Sequence, residues 1–246
     1  MQINKFKKIG KNKYKIYFDN TELVLYEDII LKYELLLKKD IDVFLIDKII
    51  DENRYYDAYE LALSYIEIKL RNRKEIKDYL YKKGFDDNII SFVIEKLDKL
   101  NLLNDIKYIE AFINDKITLS MDGPYKIKRL LLEFDLSEIN IDNYLNTIDK
   151  DIWEEKLDKI ISKKKNIMKN KSYYVFITKI KNDLYNMGYD KEMIDSKLSN
   201  IKYESNAIDK DYEKAKKKYK DDKNKLIQFL LRKGYSYDEI INKYNN

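Results

Sequence analysis

The chain carries two hydrophobic rhythms, and they do not mix. Lys13 to Phe18 alternates polar and apolar positions, and Thr21 to Tyr26 is a second strand-like run, with Asp19-Asn20 placed to turn between them. Period-two alternation across a short polar turn predicts a β-hairpin. Asp28 stands where it can cap a helix carrying Ile29, Ile30, Tyr33 and Leu36 on one face, and a further helix is expected through Phe44 to Ile50. From about Tyr56 onward the spacing is helical throughout. Ala58, Leu61, Ala62, Tyr65 and Ile68 share a face, as do Ile90, Val93, Ile94 and Leu97, and again Ile141, Tyr144, Leu145 and Ile148.

The helical part repeats itself. Leu80, Gly84, Phe85 and Ile90 form a pattern that returns at Leu184, Gly188, Tyr189 and Ile194 and at Leu230, Gly234, Tyr235 and Ile240. A fourth copy, Leu131, Asp135, Leu136 and Ile141, lies between the first two, with Asp in place of Gly. The period is about 50 residues, the length of a few helices. Each glycine falls where a helix must stop in a left-handed conformation, and two residues later stand Asp86, Ser137, Asp190 and Ser236, side chains that accept hydrogen bonds from the free amides of a new helix. Ser236 with Glu239 completes a capping box, Asn72 and Glu75 can cap a helix earlier in the first unit, Asn104-Asp105 opens the second unit, and Pro124 after Gly123 suits a first helical position. These signals predict an all-α protein of tandem three-helix repeats at 56–103, 104–149, 150–203 and 204–246, behind an N-terminal extension, 1–55, of one β-hairpin and two helices. Repeats of this kind stack on their neighbours, so an elongated, curved solenoid is expected.

Composition narrows the chemistry. Five Gly and one Pro leave little for turn-rich β architecture. The chain has neither Cys nor His, which removes disulfides, thiol chemistry, histidine catalysis and the usual zinc sites; no catalytic residue, cofactor or metal is expected. No apolar run approaches the roughly 18 residues of a membrane span, and the Met1 to Lys8 segment does not lead into a signal peptide, so a cytoplasmic protein without a membrane partner is expected. The net charge of +5 is a mild excess in a sequence rich in Lys, Asn, Ile and Tyr together, a bias that AT-rich coding produces. Clustering therefore says more than the total.

The succession of elements resembles the RecX family. Ala62-Leu63 through Arg71-Asn72-Arg73 and Glu75-Ile76, followed by Leu80 and Gly84-Phe85, is similar to that family's first repeat. Leu102-Leu103-Asn104-Asp105, Tyr108, Ala111-Phe112 and then Gly123-Pro124, Ile127, Arg129 and Leu130 resemble the second, and Lys225 through Phe229, Leu230-Leu231, Arg232-Lys233 and Gly234-Tyr235 the last. Single motifs of this type are common at helix ends; their order over residues 56–246 is specific. The resemblance implies a non-enzymatic monomer that binds the RecA recombinase filament on DNA and inhibits its ATPase and strand-exchange activities. It identifies turn and core positions and no active site, and Asp135 departs from it at one turn.

Several basic clusters are candidate contact surfaces. Arg71, Arg73, Lys74 and Lys77 crowd one helix boundary of the first unit, Lys126, Lys128 and Arg129 lie in the second, and Arg232 with Lys233 flanks the last turn; all are candidates for a protein partner, although solvated charge at helix ends needs none. Lys163, Lys164, Lys165, Lys169, Lys171, Lys179 and Lys181 form an acid-free stretch in which Tyr173, Tyr174 and Phe176 interleave. Cations and aromatics in that mixture suit single-stranded nucleic acid, so direct binding of single-stranded DNA or RNA is the alternative function, against a plain solvated helix pair with aromatics in its core. The carboxylate pairs Asp86-Asp87 and Asp221-Asp222 admit a third reading, a metal-dependent enzyme, but capping accounts for them better.

Overall fold

The computed structural model describes every residue except Asn20, Asn200, Glu204, Asp221 and Asn246. Asn20 of the expected hairpin turn and Asp221 of the second acidic pair therefore lie outside the described residues. The fold is mainly helical behind a small N-terminal sheet, with the chain dividing into two units, residues 1–108 and 109–246.

The sheet is one strand larger than the alternation predicted. β1 (Ile3–Lys8) pairs antiparallel with β2 (Lys13–Phe18), and β2 pairs with β3 (Glu22–Tyr26). β1 carries only Ile3, Phe6 and four polar residues, and its register slips between Ile3 and Lys5, which blurs the period-two signal of an exposed edge strand. Helix α1 (Glu27–Lys32) starts directly after β3, so Asp28 lies in its first turn instead of capping it, favouring the helix through the positive end of its dipole.

One helix replaces two expected ones. Helix α2 (Val43–Ile68), capped by the Asp42 carboxylate accepting from the Phe44 amide, runs unbroken for 26 residues through the segment where a helix ending near Ile50 and a new one near Tyr56 were anticipated. Its first half presents Ile46 and Ile49 to a core built from Ile16, Phe18, Leu25, Ile29, Ile30, Leu35 and Ile41. Its second half presents Ala58 and Ala62 to the next core. Asn53, buried between the two, makes the join: its Oδ1 accepts from the Tyr26 amide at 3.0 Å and its Nδ2 donates to the Val24 carbonyl at 3.1 Å. The sheet is thereby hydrogen-bonded to the helix that begins the repeats.

The repeats follow as triplets. With α2 go α3 (Arg73–Lys82) and α4 (Asp87–Lys99), which bury Ile76, Leu80, Ile89, Ile90, Val93 and Leu97 with Leu103. Next come α5 (Asp105–Leu119), α6 (Pro124–Leu132) and α7 (Glu138–Leu145); α7 ends before Ile148, which lies in the connection beyond it. Then follow α8 (Lys150–Met168), α9 (Tyr173–Asn186) and α10 (Lys191–Ser199), and finally α11 (Ala207–Tyr219), α12 (Lys223–Arg232) and α13 (Tyr237–Asn245).

Each triplet turns where the glycine pattern placed it. Gly84, Gly188 and Gly234 have φ of 85°, 84° and 83°, and after each the next amide reaches back to close the turn, Phe85 to the Leu80 carbonyl, Tyr189 to Leu184 and Tyr235 to Leu230. Asp135 takes the same left-handed region at φ 59°, so the departure from glycine preserves the turn, as Asp tolerates that region better than most residues. The following caps form as well: Asp86 accepts from the Asn88 and Ile89 amides, Ser137 from Asn140, Asp190 from Met193, and Ser236 with Glu239 closes a reciprocal box. Asn72 and Glu75 form another at the start of α3.

Candidate functional site

In the second unit the turn of one triplet is seated on the start of the middle helix of the triplet before it. The Gly123 amide donates to the Met187 carbonyl at 2.7 Å and the Tyr125 amide to the Gly188 carbonyl at 3.0 Å, so the otherwise free amides that open α6 are satisfied by the turn between α9 and α10. A Cβ on Gly123 would lie 2.5 Å from the Gly188 oxygen, and one on Gly188 2.3 Å from the Lys126 nitrogen; only glycine at both positions allows the approach. The next junction repeats the arrangement. The turn at Gly234 sits on the start of α9, where the Ser172 hydroxyl donates to the Lys233 carbonyl at 2.8 Å.

Buried polar side chains brace the first junction. The Tyr189 hydroxyl donates to the Met121 carbonyl at 3.0 Å, and burial, reinforced by the nearby Asp122 charge, pushes its pKa up to about 12. Lys156 of α8 is buried and donates to the Lys116 and Ser120 carbonyls at the end of α5; burial lowers its pKa against the opposing pull of Asp122. Asp122 also pairs with Lys126 at 2.7 Å, and although burial pushes its carboxyl up, the Lys126 hydrogen bond and the flanking lysines bring it below the usual range.

Each junction opens into a groove. The first has a volume of about 700 Å³ and is lined by Tyr125, Lys126 and Arg129 of α6 and by Tyr185, Tyr189 and Lys191 around the Gly188 turn. Tyr125 and Tyr185 are 61% and 69% exposed. The second groove, about 690 Å³, has Tyr174, Leu231 and Tyr235 in the places of Tyr125, Tyr185 and Tyr189, and is further lined by Tyr173 and Ile177, with Glu239 its charged member. One scaffold thus carries a basic, tyrosine-flanked groove and a largely apolar one.

The basic residues singled out from the sequence fare differently. Arg71 is turned inward: its guanidinium stacks 3.7 Å from the Tyr65 ring, pairs with Glu75 at 3.1 Å and donates to the Tyr65 carbonyl, and only 10% of the side chain is exposed. Arg73 is more open but bridges Asp98 and Asp105, tying the start of α3 to the end of α4 and the start of α5. Lys74 is half-buried beside it, and Lys77 is exposed over the Tyr81 ring. Lys128 is held between Glu138 and Asp142, both at 2.7 Å, and Lys126 by Asp122, whereas Arg129 is exposed and forms no ion pair among the described residues. Arg232 is exposed and bonds the Gln228 carbonyl, and the Lys233 ammonium lies 5.6 Å from the Phe229 ring.

Of the lysine-rich stretch, Lys164 pairs with Asp183 and Lys181 with Asp195, while Lys163, Lys169, Lys171 and Lys179 are exposed and Lys165 half-buried. Phe176 is fully buried against Tyr203, at a ring separation of 4.2 Å, so it belongs to the core; Tyr173 and Tyr174 stay accessible. Asp86 serves as a helix cap, Asp87 accepts from the Tyr81 hydroxyl, and Asp222 caps α12 while pairing with Lys225. Among the described residues no group of acidic side chains could hold a metal ion, and no helix is long and apolar enough to cross a membrane.

Residues 58–97 match the first three-helix domain of RecX, and residues 205–241 its third. Regulatory protein RecX of Streptococcus uberis is 30% identical over 252 residues, an alignment covering 96% of this chain and 96% of that protein. The chain belongs to the RecX family. Regulatory protein RecX of Halalkalibacterium halodurans, also 30% identical, spans 89% of this chain and 87% of its own length, and that of Streptococcus agalactiae (strain NEM316) is 29% identical over 98% and 97%. A crystal structure of regulatory protein RecX superposes with a TM-score of 0.68 over 81% of this chain and 99% of its own; at 20% identity the likeness is one of fold. The crystal structure of RecX from Lactobacillus salivarius gives a TM-score of 0.53 over 60% of this chain and 97% of its own, at 29% identity. Between the two segments that match RecX domains, the described residues form helices α5 to α10, with left-handed turns at Asp135 and Gly188.

Proposed function

We propose that this RecX-family protein is a non-enzymatic, cytoplasmic regulator that binds the RecA filament on DNA and inhibits its ATPase and strand-exchange activities. The observation that carries this reading is a family match that runs nearly end to end, with relatives described as regulatory proteins. The chemistry available agrees with it: the conspicuous features are surfaces, namely two junction grooves and exposed cations, and Asp86 and Asp222 serve as helix caps. The test is RecA ATP hydrolysis on single-stranded DNA, with this protein added from sub-stoichiometric to stoichiometric amounts. Hydrolysis should slow with dose. A rate unchanged at stoichiometry defeats the proposal.

A second reading, direct binding of single-stranded nucleic acid, is favoured by Lys163, Lys169, Lys171 and Lys179, which are exposed and form no ion pair among the described residues, near Tyr173 and Tyr174. Salt separates the two. Binding through phosphates weakens steeply as salt rises, with a log–log slope of roughly 0.7 per phosphate neutralised on single strands.

A further inference from the structure

We propose that the groove at the Gly123–Gly188 junction seats an extended acidic peptide segment of a protein partner, an apolar side chain of the segment lying against Tyr125 and Tyr185 and its carboxylates meeting Arg129 and Lys191. The inference rests on the regulator reading and deepens it by naming the chemistry that the groove grips.

Three observations support it. The two tyrosines stand open on a cleft large enough for several side chains, and rings of this kind supply contact area with little ordering cost. Arg129, exposed and without an ion-pair partner among the described residues, offers a planar fork that matches a carboxylate in two-point contact. The charge is also a property of this groove and not of the scaffold, because the equivalent places at the second junction hold Val175 for Lys126, Thr178 for Arg129, Leu231 for Tyr185 and Tyr237 for Lys191.

The distribution of charge favours a peptide over a nucleic acid. Asp190 lines the same groove and Asp122 neutralises Lys126 at its edge, so the cations form isolated points rather than a track. A phosphodiester strand brings one charge per nucleotide and cannot skip the acids, whereas a peptide can place a carboxylate opposite each free cation and neutral residues opposite the aspartates.

The test uses the full chain and two fluorescein-labelled probes, the peptide Glu-Glu-Phe-Glu-Glu and a short oligothymidylate, read by fluorescence anisotropy. Arg129→Ala and Tyr185→Ala should each weaken peptide binding by about ten-fold, the effect of losing a charge-assisted pair or an aromatic anchor, while Tyr174→Ala in the second groove leaves it unchanged. Both substituted side chains are exposed, and circular dichroism should match the wild type. Peptide that does not bind, or that binds all variants equally, overturns the proposal. Oligothymidylate that displaces the peptide and is itself lost in Arg129→Ala also overturns it, making the groove a nucleic-acid site. The regulator reading is judged separately: wild-type protein that binds the peptide but leaves RecA hydrolysis unaffected defeats that reading alone, and an Arg129→Ala variant blind to the peptide that still inhibits RecA fully removes the groove from the partner contact.

Discussion

Gly188→Ala should destabilise the protein far more than the same change at Gly84, although the two turns have nearly equal φ, 84° and 85°. The conformational cost of a β-carbon in the left-handed region is common to both and amounts to about 1–2 kcal/mol. At Gly84 nothing lies within 4 Å of the added carbon, so that is the whole cost. At Gly188 the carbon would sit 2.3 Å from the Lys126 nitrogen and 2.9 Å from its Cα, backbone atoms that cannot rotate away, so the start of α6 must retreat. Retreat stretches the hydrogen bonds from Gly123 to Met187 and from Tyr125 to Gly188, each contributing about 1 kcal/mol, for a total near 3–4 kcal/mol. With a urea dependence of about 2 kcal/mol per molar, the unfolding midpoint of the second unit should fall by roughly 1.5–2 M. Gly234→Ala should lie between, because its added carbon meets side-chain atoms, Ser172 Oγ at 2.8 Å and Val175 Cγ2 at 3.0 Å, that can shift. Urea titration followed by circular dichroism measures the midpoints, and amide exchange at Tyr125 reports the junction directly. Equal losses at Gly84 and Gly188, or an unaltered Tyr125 amide in Gly188→Ala, would refute the seating of the turn on α6 as the cause.

Further outcomes follow from other contacts. Asn53→Ala strands the Tyr26 amide and the Val24 carbonyl, and should lower the stability of the first unit by about 1–3 kcal/mol in chemical denaturation, whereas an unchanged midpoint would mean the sheet is held by its apolar core alone. Arg71→Ala leaves Glu75 without its inward partner and uncovers Tyr65, so it should cost about 1–3 kcal/mol of stability, visible as a lower thermal midpoint, and a variant as stable as wild type would show the stack to be idle. Asp122 has a lowered pKa in the fold, so its contribution is present above its unfolded value near 3.8 and is lost as pH falls through the lower folded value; Asp122→Asn should flatten the acid limb of stability against pH, and an identical limb would assign acid sensitivity to other carboxylates. Lys156 has the opposite sense, a base lowered by burial, so its burial penalty is relieved as pH rises from its folded value toward 10.5, and Lys156→Met should abolish that alkaline gain in a denaturation series.

Local rules made the turns and caps legible from residue order. A left-handed stop depends on one residue's steric freedom and a cap on a side chain reaching two or three amides onward, so Gly84, Gly188, Gly234, Asp86 and Ser236 announce themselves without knowledge of their neighbours in space. The same locality explains the family resemblance, which is carried by such positions. Strand β1 escaped because an edge strand with few apolar residues has little alternation to read, and the break assumed near Ile50 dissolved because no residue there stops a helix; whether α2 continues is decided by the two cores it serves. The candidate site was the least legible part. Arg71, just before the start of α3, and Arg129, in the last turn of α6, are the same residue type, yet one is folded inward onto Tyr65 and Glu75 while the other opens on a groove. Tyr185 and Phe176 share a helix and an aromatic character, yet one faces water and the other the core. The partners of Arg71 lie only four and six residues off, and the spacing of Phe176 with Ile180 and Leu184 places that ring inside, but the openness of Arg129 and Tyr185 on a groove is set by residues tens of positions away: the pairing of Gly123 with Gly188 depends on two triplets meeting, and side-chain chemistry becomes a binding surface only once that meeting has fixed which atoms remain uncovered.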